Sequence, residues 1–229
     1  MEQLFQLFDA IHPLSTELKN YLISILTPLY FKKKSVILEE GQIADRIYFI
    51  EKGLVRAVEL EKGKEKTAWI MSEGEIIFSV ESFLLQIPSP EKIEALEDCE
   101  FQSITHSQLY EAYLKYPEFN LHRAVFLEKY YPQSEARNRM RQMKARVKFE
   151  YLMKTQPGLV TRRSLSDKIL ASYLGVTPGT YSLQKSLFAN RNKPAQESKK
   201  KESTRGKAKA KKSTKPAKNI RNRKKNNKG

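Results

Sequence analysis

The 229-residue sequence contains a single cysteine, Cys99, and no apolar run as long as a membrane-spanning helix requires. One cysteine excludes an internal disulfide, and alone it cannot hold an iron–sulfur cluster or a cysteine-based zinc site. The first residues are amphipathic and include acidic side chains, which differs from the pattern of a signal peptide. We therefore expect no membrane span, no secretion signal and a cytoplasmic location.

Recognisable catalytic and metal-binding motifs are also absent from the sequence. The three histidines, His12, His106 and His122, are scattered, and no two have the spacing of metal ligands. Ser-His-Asp, HExxH and P-loop patterns are not found. We expect no enzymatic activity, no metal site and no resident cofactor.

Acidic residues are scarce in one segment only. Residues 190–229 contain 17 Lys and Arg and only two Asp and Glu. Residues 1–189 contain 25 Lys and Arg and 24 Asp and Glu. The only large apolar residue of that segment is Ile220, so burial cannot offset its chain entropy. The pattern predicts a disordered basic tail that binds nucleic acid through phosphates; a tail that only improves solubility is the alternative.

Apolar residues recur at three- and four-residue intervals over residues 2–11 and 14–27, which predicts two short helices. From Tyr30 the apolar period changes to two, and glycines bound each short run. Lys62-Gly63 is the clearest hairpin turn. This spacing predicts an antiparallel β-sandwich or β-barrel.

Within these strands, the string EEGQIADRIYFIEKGLVRAV resembles the signature of the cyclic-nucleotide-binding jelly-roll domain. Five of its residues stand in matching positions: Gly41, Asp45, Tyr48, Ile50 and Gly53. The resemblance implies a jelly roll with a pocket for a small effector.

Residues 165–187 have the layout of a helix-turn-helix. Ser164 and Asp167 form a capping-box-like start, and Gly175 stands where the turn between the helices needs a positive φ. Thr177 is the expected N-cap of a second helix that begins at Pro178. An ordinary helical hairpin in an α-rich domain is the alternative.

Between these two parts, a helical pattern extends from Glu118 to about Lys154, and Pro132 should kink or break it. The order of jelly roll, long helix and helix-turn-helix over residues 5–189 resembles the Crp/Fnr family of transcription regulators. The resemblance implies a homodimer formed by the long helix, with Phe119, Val125 and Phe126 as candidate contacts. The alternative is that these apolar residues cover the β domain.

The resemblance also implies where an effector would bind. Members that bind a cyclic nucleotide carry a Gly-Glu pair for the ribose and an Arg for the phosphate. Gly74 and Glu75 match the pair, whereas Ser89 stands at the position of the Arg and only Lys92 is a nearby cation. The missing Arg argues against a cyclic nucleotide, because a buried phosphate needs a fixed cation or several aimed amides. The sequence leaves open another small molecule, or none.

The resemblance also implies which residues would read DNA bases: an Arg, a Glu and a second Arg on the second helix. The matching residues here are Pro178, Gly179 and Leu183, and none of them can form two hydrogen bonds to a base. We expect the second helix to be rotated slightly, so that Leu183 or Leu187 is buried. The residues left as candidate DNA contacts are Thr177, Thr180, Ser182, Gln184, Lys185, Arg162, Arg163 and Lys168.

The sequence therefore predicts an α+β chain with four parts. They are a sensor domain over residues 1–116, a dimerisation helix over 117–132, a helix-turn-helix domain over 133–189 and a tail over 190–229. Its expected partners are double-stranded DNA and a second copy of itself. The alternative is a sensor or protein-interaction module that binds nucleic acid nonspecifically through the tail.

Overall fold

The computed structural model describes residues 1–61 and 63–191. The chain begins with two helices, α1 (Glu2–Asp9) and α2 (Thr16–Ile25), as the sequence predicts, although both are shorter than expected. The side chain of Ser15 accepts a hydrogen bond from the backbone of Leu18, which satisfies one of the free N–H groups at the start of α2. Residues 1–186 pack as one compact unit.

Eight strands follow, and they confirm the predicted jelly-roll-like sandwich. They pair antiparallel in two sheets, with the strand orders β1-β8-β3-β6 and β2-β7-β4-β5. The strands are β1 (Thr27–Phe31), β2 (Val36–Leu38), β3 (Arg46–Lys52), β4 (Leu54–Glu61), β5 (Lys64–Ser72), β6 (Ile76–Ile77), β7 (Lys92–Ala95) and β8 (Cys99–Thr105).

The predicted hairpin joins β4 to β5. Glu61 pairs with Lys64, and Gly63 has a φ of +74°, as a tight turn requires. Lys62, the other residue of the predicted turn, lies outside the described residues.

The two faces of the sheet that contains β3 and β8 have different neighbours. Tyr48 pairs with Ser103 on one face and packs 5.6 Å from the ring of Phe101, within the sandwich. The next pair, Phe49 with Gln102, lies on the opposite face, because side chains alternate along a strand. That outer face is covered by helices.

Four helices complete this part of the chain: α3 (Val80–Leu85), α4 (His106–Lys115), α5 (Phe119–Arg141) and α6 (Ala145–Thr155). The predicted break at Pro132 is wrong, since α5 continues through Pro132 and ends at Arg141. Proline removes the helical hydrogen bond to the carbonyl of Glu128, and both residues lie on the exposed side of α5. The break falls at residues 142–144 instead.

The last helices of the described residues are α7 (Pro157–Thr161), α8 (Asp167–Leu174) and α9 (Pro178–Arg191). Residues 190 and 191, where the predicted tail begins, still belong to α9. The other residues of the predicted tail, 192–229, lie outside the described part of the chain. The domain boundaries at residues 116, 132 and 189 remain predictions.

Gly53 sits where the chain passes closest to β8. Its φ is +108°, and a Cβ there would lie 2.5 Å from the sulfur of Cys99 and 2.7 Å from the carbonyl oxygen of Asp98. We predict that Gly53→Ala lowers the free energy of unfolding by about 3 kcal/mol or more, measured by urea denaturation. Gly63→Ala is the control: it shares the positive φ but has open space, so we expect a loss of about 1 kcal/mol. Equal losses would show that the contact with Cys99 is unimportant.

Candidate functional site

Helices α8 and α9 lie where the sequence predicts a helix-turn-helix, and residues 175–177 join them. Gly175 ends α8 with a φ of +61°, and the backbone N–H of Val176 bonds to the carbonyl of Ala171 at 3.0 Å. Ala171 is fully buried, which allows close packing of the two helices. The hydroxyl of Thr177 accepts a hydrogen bond from the backbone of Thr180 at 3.2 Å, so Thr177 caps α9 as expected.

The predicted start of α8 is wrong by two residues. Ser166, and not Ser164, is the N-cap, and its hydroxyl accepts a hydrogen bond from the backbone of Ile169. Ser164 instead bonds to the carboxylate of Glu97 in the loop before β8. The sequence contains serines at both positions, and only the contact with Glu97 distinguishes them.

Helix α9 exposes its first turn, including Thr177, Pro178 and Gly179. Leu183 is 56% exposed and Leu187 43% exposed, so the expected rotation that buries one of them does not occur. Tyr181 is buried in their place, with its ring 5.5 Å from that of Phe149 on α6.

The candidate DNA contacts on α9 lie in different surroundings. Ser182 is exposed, whereas Thr180 and Gln184 are half-buried. The ammonium group of Lys185 pairs with the carboxylate of Asp167 at 2.8 Å and lies 5.8 Å from the ring of Tyr181. Lys185 is therefore held against α8.

Arg162 does not fit its predicted role as a DNA contact, because its guanidinium is already paired. It donates to Glu73 at 2.7 and 2.9 Å and to Glu97 at 2.8 Å through Nε, with a further short bond through Nη2. These bonds lower the pKa of Glu73 to about 2 and also lower the pKa of Glu97. Arg163 and Lys168, the other basic candidates before α9, are exposed.

The same region holds α8 against the β domain. Strand β5 is the outer strand of its sheet, so backbone groups on its free side need partners. The backbone N–H of Thr67 donates to the hydroxyl of Ser172 on α8 at 2.9 Å. Arg141, the last residue of α5, donates to the carbonyls of Thr67 and Ala68. We call these bonds, together with those of Arg162 and Ser164, the α8–β junction.

The four candidate effector residues do not form one site. Gly74 and Glu75 line a cavity that Ser89 and Lys92 do not line. The carboxylate of Glu75 accepts a bond from the backbone of Ser72 at 2.6 Å. Lys92 pairs with Glu65 and with Glu94, on the side of β7 opposite the buried Ile93. The prediction that these four residues share a pocket is therefore wrong.

Ser89 is buried and has another serine beside it. Its hydroxyl lies 2.9 Å from the hydroxyl of Ser79, at the start of α3, and 2.7 Å from the carbonyl oxygen of Glu91. Two neutral hydroxyls thus face each other where the resemblance places the phosphate-binding Arg.

The candidate dimer residues divide between the two sides of α5. Phe119 is buried, and Phe126 is half-buried with its ring 6.0 Å from that of Phe8 on α1. Both face the core, so the prediction that they contact a second subunit is wrong. Val125 is half-buried like Phe126, but it lies one helical turn after the exposed Leu121.

Comparisons with known proteins bear on the β domain. Residues 28–116 match the family model of the cyclic nucleotide-binding domain. A comparison with curated proteins finds no match.

Solved structures share the fold over most of the chain. FixK2 from Bradyrhizobium japonicum has 20% identity and a TM-score of 0.61, covering 73% of this chain and 86% of that one. The c-di-GMP-responsive global regulator CLP of Xanthomonas campestris has 14% identity and a TM-score of 0.58, covering 77% and 93%. A CooA mutant from Carboxydothermus hydrogenoformans has 19% identity and a TM-score of 0.57, covering 77% and 80%.

The described ranges contain no group of three or more His, Cys, Asp and Glu residues that could hold a metal ion. Within the same ranges, no helix is long and apolar enough to cross a membrane. Cys99 is buried in β8.

Sequence reasoning missed Glu91, a buried acid within the residues that match the cyclic nucleotide-binding domain. Its carboxylate accepts a bond from the indole of Trp69 at 3.1 Å, and only 8% of the residue is exposed. Desolvation, reinforced by the nearby Glu59, raises the pKa of Glu91 to about 7. Periodicity could not reveal it, because Glu91 lies in the irregular segment before β7.

We predict that Glu91→Gln stabilises the protein above neutral pH. Between pH 4.5 and 7 the folded state binds more protons than the unfolded state, so stability of the natural chain falls as the pH rises. The advantage of the variant should grow across this window to about 3 kcal/mol, because Gln carries no charge to desolvate. Urea denaturation at several pH values measures it. The exposed Glu81→Gln is the matched control, and an advantage that is independent of pH would contradict the prediction.

Proposed function

We propose that this chain is a DNA-binding transcription regulator of the Crp/Fnr type, located in the cytoplasm and without enzymatic activity. The observation that carries the proposal is the geometry of α8 and α9. Gly175 ends α8 in the left-handed conformation that the turn of a helix-turn-helix needs, the small Ala171 is buried, and the first turn of α9 is exposed.

The comparisons support this proposal at the level of domain organisation. The chain combines a cyclic nucleotide-binding domain with a long helix and a helix-turn-helix, and FixK2 and CooA are regulators of the Crp/Fnr type. The regulator from Xanthomonas campestris is described as responsive to c-di-GMP, which makes a small-molecule effector reasonable for this chain too.

On DNA, Gln184 is the residue of α9 that can form two hydrogen bonds to an adenine. Thr177 and Thr180, at the start of the helix, would contact phosphate, together with the exposed Arg163 and Lys168. Arg162 is excluded from this set by its two carboxylate partners. The basic residues beyond Arg191 would add affinity without sequence preference.

A second copy of the chain would place two such helices about one DNA turn apart. The outward side of α5 offers the dimer contact, through Leu121, Val125 and Tyr131. Leu121 is 46% exposed and Tyr131 is 69% exposed. Dimerisation by this helix would bury both.

Control would act through the α8–β junction, since that is where the β domain holds the first helix of the DNA reader. The serine pair Ser79 and Ser89 offers no cation for a cyclic phosphate, so we propose an effector other than a cyclic nucleotide. An effector or partner that favours one arrangement of the junction would change the angle between the two recognition helices of the dimer.

A second function is favoured by the exposed leucines of α9. Leu183 and Leu187 are one helical turn apart and present an apolar surface where a DNA reader has polar groups. A sensor that uses this surface for protein contacts, with nonspecific nucleic-acid binding by the tail, is the alternative.

Binding to duplexes distinguishes the two functions. A site selected from genomic fragments is compared with a random duplex, using the full chain and a truncation after Arg191, the end of α9. We predict that the truncated protein still prefers the selected site, by less than about 10³-fold because few side chains can read bases. Fluorescence anisotropy over a range of salt concentrations measures both affinities.

Three variants serve as tests and controls in the same assay. Gln184→Ala should reduce the preference about tenfold or more, whereas Gln6→Ala on α1 should not change it. Tyr131→Asp should give a monomer in sedimentation velocity and lose the preference for a palindromic site. Equal, steeply salt-dependent affinity for both duplexes, lost on truncation, would contradict the proposal and favour the alternative.

A further inference from the structure

A cavity of about 260 Å³ lies on the helix-covered side of the sheet β1-β8-β3-β6. Its walls come from that sheet, from the end of β5 at Met71, and from the five helices α1 to α5. We propose that this cavity binds a small, neutral, mainly apolar molecule that carries a hydroxyl group, such as an alkylphenol. The proposal does not depend on whether α9 binds DNA.

The cavity is separate from the interior of the sandwich. Ile47 and Phe49 of β3, and Gln102 and Ile104 of β8, line it. Tyr48 and Ser103 alternate with them and face the other sheet. The serine pair near α3 is therefore not part of this cavity, which is a second site in the same domain.

The walls are largely apolar, as in sites that bind small molecules. The volume is just below the roughly 300–1,000 Å³ typical of such sites, so a small ligand fits better than a nucleotide. Several aromatic rings contribute to the lining, among them Phe8, Phe83, Tyr113, Phe119 and Phe126.

Gln102 supplies the polar feature on the sheet side. Its amide nitrogen donates to the carboxylate of Glu51 at 2.9 Å, which fixes the orientation of the amide. The other atom of the amide, Oε1, is buried and has no hydrogen-bond partner among the described residues. A buried acceptor without a donor is unfavourable, and a ligand hydroxyl would satisfy it.

His122 supplies a similar feature on the helix side. Its Nε2 lies 3.2 Å from the carbonyl oxygen of Phe8 and 3.0 Å from that of His12, so this nitrogen carries the hydrogen. Nδ1 is then an acceptor, and within the described part of the chain this buried atom also has no partner. Two residues of the lining thus each have an acceptor without a donor, and one ligand hydroxyl can satisfy one of them.

The two acceptors argue against an anionic ligand. Glu75 lines the cavity with its carboxylate bonded to Ser72, and the cations Arg123 and Lys129 line it as well, so the lining contains charges of both signs. A carboxylate ligand would donate no hydrogen bond to Gln102 or His122, whereas a neutral hydroxyl compound donates one.

The test uses the full chain and 4-propylphenol as the probe, with 4-propylanisole as the matched compound that lacks the donor. Isothermal titration calorimetry should show one site per chain and an affinity for the phenol about tenfold higher than for the anisole. Gln102→Leu should reduce this ratio towards one. Gln133→Leu, the same change at the exposed edge of the cavity, should leave it unchanged.

The position of the site is tested on the natural sequence by labelling the methionine methyl groups. The phenol should shift the NMR signal of Met71, which lines the cavity, and leave that of Met153 on α6 unchanged. Val80→Phe, which fills the cavity from α3, should abolish binding, whereas Leu85→Phe on the exposed side of α3 should not.

Three results would overturn the proposal. They are the absence of saturable binding, a Met71 signal that the phenol does not shift, and equal affinities for the phenol and the anisole. The last would show that water alone satisfies Gln102.

Discussion

The arrangement of the helix-turn-helix depends on the bonds of Arg162. A planar guanidinium can bond to two carboxylates at once, and here it joins Glu73, in the turn after β5, to Glu97, in the loop before β8. Arg162 itself lies between α7 and α8. One side chain thus joins the segment before α8 to two loops of the β domain. Ser164 adds a further bond to Glu97.

The outer strand of the sheet makes this attachment possible. An unpaired strand edge presents free N–H and carbonyl groups, which proteins usually cover. Here Ser172 of α8 and Arg141 of α5 bond to the free backbone of β5 at Thr67 and Ala68. Helices α5 and α8 therefore bond to the same strand. A shift of either helix would leave backbone groups of β5 without a partner, so the two helices are coupled through this strand.

Local signals in the sequence predicted much of the fold. The cap at Thr177, the left-handed Gly175 and the alternation along the strands depend on neighbouring residues, and the structure has all three.

Long-range pairing was not predictable in this way. Nothing in the sequence near Ser164 indicates Glu97, and a stripe of apolar residues does not tell which side of α5 faces the core, so Phe119 and Phe126 were placed on the wrong side. Lys92 was misplaced because the register of β7 decides on which face of the sheet its side chain lies. The short distance between Lys92 and Ser89 in the sequence does not. Glu91 and the cavity beside Gln102 arise only when several elements pack together.

Hydrogen exchange at one amide tests the central claim, that Arg162 holds the helix-turn-helix against the β domain. The backbone N–H of Thr67 donates to Ser172 across the junction, so its exchange rate reports whether α8 is in place. The account predicts that Arg162→Ala speeds this exchange about tenfold or more, while Arg163→Ala, the loss of an exposed neighbouring charge, leaves it unchanged. Equal protection of Thr67 in the natural chain and in Arg162→Ala would contradict the account.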